Sequence, residues 1–170
     1  MGTTTIDNTI AAPAVLADLT HLVGTDPACA DRDDLRDLVA RERRLRSFLD
    51  AYAVRVARRS RQIAQAERPS GDPVKPSTVI AGLLDAGCNS GRDAKANATR
   101  EGLCSDLPEF EDALASGAVS GGHIDALGHA TRNLTDDERA ELRDRAAELV
   151  DRASSEHVEM FEKTARTIVD

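Results

Sequence analysis

The sequence predicts an all-α protein: one long N-terminal helix followed by a bundle of short helices. Three observations carry that expectation. Aromatic residues make up only 2%, with no Trp, so the core is left to Leu, Val, Ile and Ala, and Ala and Leu are strong helix formers. Between Asp31 and Arg68 there is neither Pro nor Gly, and apolar residues recur at three- and four-residue steps. Beyond residue 76, helix caps and helix stops alternate, with no apolar/polar alternation of the kind a strand needs.

Taken in order, residues 1–10 read as frayed. Residues 11–23 form a short helix with Val15, Leu16, Leu19, Leu22 and Val23 on one side, broken by Gly24-Thr25-Asp26-Pro27. The long helix follows. Leu35, Leu38, Leu45, Leu49, Tyr52, Val56 and Ile63 fall in one stripe at about 100° per residue, and Glu42 interrupts that stripe at a seam position. A helix from 31 to 68 is roughly 55 Å long and cannot bury its stripe alone. It must pack against the rest of the chain or against a second copy. Asp31, Asp33 and Asp34 suit its positive end.

Residues 69–76 hold three prolines and are read as a linker. They divide an N-terminal segment (1–68) from a short-helix bundle (77–170). In that bundle Ser77 is expected to cap a helix ending near Gly87, and Ser90 one reaching Cys104. Leu107-Pro108 opens a third, since Pro is tolerated in a first turn, and Gly117 closes it. Ser120 caps a fourth, to about Asn133. Thr135-x-x-Glu138 is a capping box that starts a fifth, and Ser154 or Ser155 starts the last.

The net charge of −8 argues against a uniformly basic nucleic-acid coat. Charge is nonetheless uneven: residues 31–68 hold eleven Arg against seven acids, and residues 107–170 hold fifteen acids against seven bases. Cys29, Cys88 and Cys104 form no C-x-x-C pair and read as small buried hydrophobes in a reducing cytosol. No apolar run approaches the roughly 20 residues of a membrane span. The expectation is a cytoplasmic protein without a membrane partner.

No catalytic motif emerges. The sequence has no G-x-S-x-G, P-loop, G-x-G-x-x-G or H-E-x-x-H. His123 and His129 lie about 240° apart on a helix and cannot share a metal, so no metal and no cofactor is expected. Gly121-Gly122 after Ser120 suits a helix start, whose N–H groups also attract phosphate. Arg41, Arg43, Arg44, Arg46, Arg55, Arg58, Arg59 and Arg61 are the candidate phosphate contacts. They spread over the whole non-apolar side of the long helix, with Asp37, Glu42 and Asp50 among them, which equally describes a solvated face. Residues 107–124 are compatible with a helix-turn-helix, and any tight helix pair with a Gly stop and a Ser start reads the same way.

From about 77 to 168 the chain resembles the actinobacterial family labelled domain of unknown function 222. The likeness is carried by Ser77, Thr78 and Leu83-Leu84, by Ala94 and Ala98, by Leu103 and Leu107-Pro108, and by a block of Ala113, Leu114, Gly117, Val119, Ser120 and His123. Many members of that family continue into an HNH nuclease module. No HNH motif is present here, so no catalytic residue is carried over. The resemblance implies a helical accessory region that positions DNA or holds subunits together. The rival expectation is a structural module that forms a homodimer through the long helix, with no role toward nucleic acid.

Overall fold

A computed structural model describes residues 11–68 and 72–169. The expectations for residues 1–10 and for Pro69-Ser70-Gly71 fall outside that range. Among the described residues there are nine α-helices and no strand.

Helix α1 (Ala11–Gly24) ends where expected, and a 3-10 turn at Pro27–Cys29 leads into α2 (Arg32–Ala66). At 35 residues, α2 is about 52 Å long. Its start is fastened by a reciprocal box. Asp31 accepts from the Asp33 and Asp34 N–H groups at 2.8 and 2.9 Å, and Asp34 accepts from the Asp31 N–H at 3.2 Å.

The shorter helices are α3 (Pro76–Asp85), α4 (Gly91–Asp106), α5 (Pro108–Ser116), α6 (Gly121–Ala130), α7 (Asp136–Asp144), α8 (Ala146–Ser155) and α9 (Val158–Val169). Ser90 caps α4 by accepting from the Asp93 N–H at 3.1 Å. Gly117 closes α5 in the left-handed conformation at φ 79°, the region glycine enters without steric cost. The Thr135–Glu138 box opens α7, with the Glu138 carboxylate accepting from the Thr135 N–H at 2.7 Å.

Three boundaries differ from expectation. Ser77 does not cap α3: Pro76 already occupies its first turn, and Lys75 stands at the cap without a side-chain bond. The helix expected from Thr135 onward is split at Arg145, whose N–H closes a tight turn onto the Leu142 carbonyl at 3.1 Å. Ser154 and Ser155 end α8 instead of starting α9. Their hydroxyls donate back to the Asp151 carbonyl at 2.8 and 3.0 Å, a local bond that serves a last turn as readily as a first one.

The main core draws Ala51 and Val54 from α2 together with Cys104, Leu107, Phe110, Leu114, Val119, Ile124, Leu127, Leu149 and Phe161. The Phe110 and Phe161 rings lie 6.3 Å apart, tilted. A smaller cluster joins Ala57 of α2 to Val74, Val79, Leu83, Ala94 and Ala98. Helix α6 runs through the main core: Gly121, His123, Ile124, Ala126 and Leu127 are buried, and within α6 only His129 is fully exposed. The second helix of the suspected helix-turn-helix thus gives most of its surface to the core, with Gly122, Asp125 and His129 left at least partly exposed.

The largest departure concerns α2. Its buried residues are Leu38, Ser47, Ala51, Val54 and Ala57, of which only Leu38 belongs to the expected stripe. Of the rest, Leu45 is half-buried and Leu35, Leu49, Tyr52, Val56 and Ile63 are exposed.

Candidate functional site

Two sets of residues on α2 had a functional reading: the arginines and the apolar stripe. The structure treats them in opposite ways.

Six of the eight arginines are matched to carboxylates. Arg41 donates to Asp18 at 2.9 Å and to Asp37 at 2.7 Å. Arg44 grips Asp18 with two bonds of 2.8 Å, a fork geometry that suits guanidinium and carboxylate. Asp18 belongs to α1 and is buried where that helix meets α2. The hydrogen bond from Arg44, with further help from Arg41, outweighs burial and holds its carboxyl below the usual aspartate range.

Arg46 pairs with Glu42 one turn away. Arg55 and Arg58 share Glu111 of α5. Arg61 donates to Glu101 of α4 at 2.8 Å, and Glu101 is only 1% exposed. Ser105 donates to the other Glu101 oxygen at 3.0 Å. Arg43 and Arg59 are exposed and have no acidic partner among the described residues. Arg59 donates instead to the Gln62 amide oxygen at 3.4 Å.

The residues of the family resemblance prove to be packing and capping groups. Leu107 is buried and Pro108 fills the first turn of α5. A Cβ on Gly117 would meet Arg44 of α2 at 2.9 Å, so this glycine answers both a positive φ and a close approach. Ser120 precedes α6, and its backbone N–H donates to Nδ1 of His123 at 3.1 Å. That fixes the tautomer: Nε2 carries the hydrogen and donates to the Glu156 carbonyl at 3.1 Å. The ring also stands edge-on to Phe161, 5.7 Å between centroids. Burial first, then the charges of Arg43 and His157, lower the His123 pKa, against the opposing Glu156 bond and Glu159. His123 ties the start of α6 to the α8–α9 turn in its neutral form.

The helix start at Gly121-Gly122, read as a phosphate candidate, already faces an anion. The Asp50 carboxylate lies against Gly121, held by Arg100 at 2.8 Å, and Arg100 in turn grips Asp125 with bonds of 2.8 and 2.7 Å. Sequence reasoning missed this trio and missed Glu101. The signal for Glu101 was its spacing: Ala94, Ala98, Glu101 and Cys104 are the buried positions of α4 and share one helix face. Of the cysteines, Cys104 is buried, Cys88 partly so, and Cys29 is exposed, which corrects the expectation of three buried thiols. Burial above all pushes the Cys104 thiol up to about 12, so it is protonated and unreactive.

The apolar stripe is the surface left over. Leu35, Leu49, Tyr52, Val56 and Ile63, together with Val39, are between 39% and 64% exposed. Shallow grooves follow them. One is lined by Ala30, Leu35 and Val39, one by Tyr52, Ala53, Val56 and Leu83, and one between α2 and α3 by Ser60, Ile63, Ala81 and Gly82. Where α1 packs on α2, Leu38 is buried and Leu45 half-buried. Scattered exposed hydrophobes are ordinary, but a contiguous stripe along one helix marks an interaction surface.

Among the described residues no group of three or more His, Cys, Asp or Glu is placed to hold a metal, and no helix is long and apolar enough to cross a membrane. Compared with known proteins, the chain matches no family model, no curated protein and no solved structure.

Proposed function

We propose that this chain is a cytoplasmic helical assembly module whose long helix joins a second copy of the chain through its outward face. One observation carries the reading: the large apolar residues of α2, spaced to form a seam, are exposed along the helix while its small residues face the bundle. A stripe of this kind is covered by another helix when a partner exists. The three free thiols suit a reducing compartment.

The DNA-positioning reading draws on the same helix and is the weaker of the two. Six of its eight candidate arginines are already neutralised within the chain, which leaves little charge for phosphate. The resemblance to the domain of unknown function 222 family implies that such a module sits beside a nuclease in related proteins. For this chain that association remains part of the proposal and supplies no chemistry.

Sedimentation across a wide concentration range tests the reading. The expected result is a reversible dimer, and a Leu49→Asp, Val56→Asp variant that stays monomeric with unchanged helicity. A wild-type chain that remains monomeric at the highest attainable concentration would overturn it.

A further inference from the structure

The seam of α2 also carries a direction. Its first row of residues recurs at 35, 42, 49, 56 and 63, and a second row at 38, 45, 52, 59 and 66. Every position is apolar except Glu42 in the first row and Arg59 in the second. The two are 17 residues apart, about 25 Å along the axis, so they cannot meet within one helix.

They can meet between two helices in a closed, two-fold antiparallel arrangement. When antiparallel helices pack, a first-row residue of one faces a second-row residue of the other. With the two-fold axis between positions 50 and 51, Leu49 faces the partner's Tyr52 and Val56 faces the partner's Leu45. In that same register Glu42 faces the partner's Arg59, and by symmetry the pair occurs twice. In a parallel, in-register pair Glu42 would face Glu42 and Arg59 would face Arg59. Like charges so placed are strongly unfavourable.

Resting on the assembly reading above, we infer that α2 pairs with a second copy of itself in the antiparallel sense, each Glu42 against the partner's Arg59. The side chains are available for it. Arg59 is exposed and has no acidic partner among the described residues. Glu42 is 43% exposed and is held only by Arg46 on the same outer side, itself 77% exposed. A single polar pair inside an apolar seam is a known way of selecting register and orientation.

The area matches a reversible association. Leu38 is covered by α1, so the strip in play runs from Glu42 to Arg59, about 26 Å by roughly 10 Å, which is below the roughly 1,000 Å² of a specific interface and suits a weak, reversible pairing. With so little area to spare, a charge mismatch at two symmetric points is decisive.

The test is a charge exchange read by sedimentation equilibrium at low salt, with circular dichroism confirming that each variant is folded. Glu42→Arg alone and Arg59→Glu alone are each expected to weaken dimerisation at least about tenfold. The double variant, which restores opposite charges across the two-fold, is expected to recover it. If the wild type dimerises and Leu49→Asp disrupts it, but the double variant shows no recovery, the antiparallel register is wrong and the assembly reading stands. If the wild type never dimerises, both fall.

Discussion

Turn α2 by half a revolution about its axis and its chemistry changes. The inner face presents Ser47, Ala51, Val54 and Ala57, all at or below 1% exposed. It is fringed by Arg55, Arg58 and Arg61, whose guanidinium groups reach Glu111 and Glu101 on neighbouring helices. The outer face presents Leu49, Tyr52, Val56 and Ile63, larger and far more exposed. Size thus runs opposite to burial. Small residues let the other helices approach α2 closely. The comparison teaches that within a helical bundle the residues with most to gain from burial need not be the ones the protomer buries. When they are left out, a partner is the economical physical explanation.

The contrast can be broken most forcefully from the inside. Removing Arg61 leaves the Glu101 carboxylate in the core with Ser105 as its remaining hydrogen-bond partner. Arg61→Ala is expected to lower the unfolding free energy by about 3–5 kcal/mol, measured by urea denaturation at neutral pH. A loss under about 1 kcal/mol would show that Glu101 is stabilised without its ion pair. A smaller loss is expected from Ala57→Leu. Ala57 is fully buried, and extra methylenes in a packed face cost about 1–3 kcal/mol. Thermal unfolding of that variant sharpens the point that the inner face selects for small side chains, and an unchanged transition would argue that it does not.

The smallest effect is a pH dependence. The folded chain favours neutral His123, so its contribution is complete above the ordinary histidine value of about 6.5 and declines as pH falls through and below it. Stability measured between pH 7 and pH 5 is expected to fall for the wild type. The slope over that window should flatten in His123→Gln, which keeps hydrogen-bonding capacity without titrating. An equal slope in both would remove His123 as the source. None of these three variants alters the outer seam, so dimerisation of the folded protein should persist in each.

Much of the fold is legible in the amino-acid sequence. The long helix, the Ser90 and Thr135 caps and the Gly117 stop all follow from local chemistry: which residues favour helix, which bond to free N–H groups, which tolerate positive φ. The errors were local too. Pro76 pre-empted Ser77, and Ser154 and Ser155 proved to be terminators, because a hydroxyl satisfies either end of a helix. The candidate surface was half legible. The apolar spacing along α2, with Glu42 inside it, could be read directly, but Val39 was missed and most of the arginines looked free because their partners lie on other helices.

What the amino-acid sequence determined by itself was periodicity, capping and composition, since these depend on neighbours within a few residues. What only the tertiary structure decided was which side of α2 faces inward. That choice depends on Ala51, Val54 and Ala57 packing into clusters built from residues beyond α2, and on Asp18, Glu101 and Glu111 arriving to neutralise arginines. A helical stripe states which residues share a face. It does not state what covers that face, and the packing of the other described helices leaves Leu49, Tyr52, Val56 and Ile63 open.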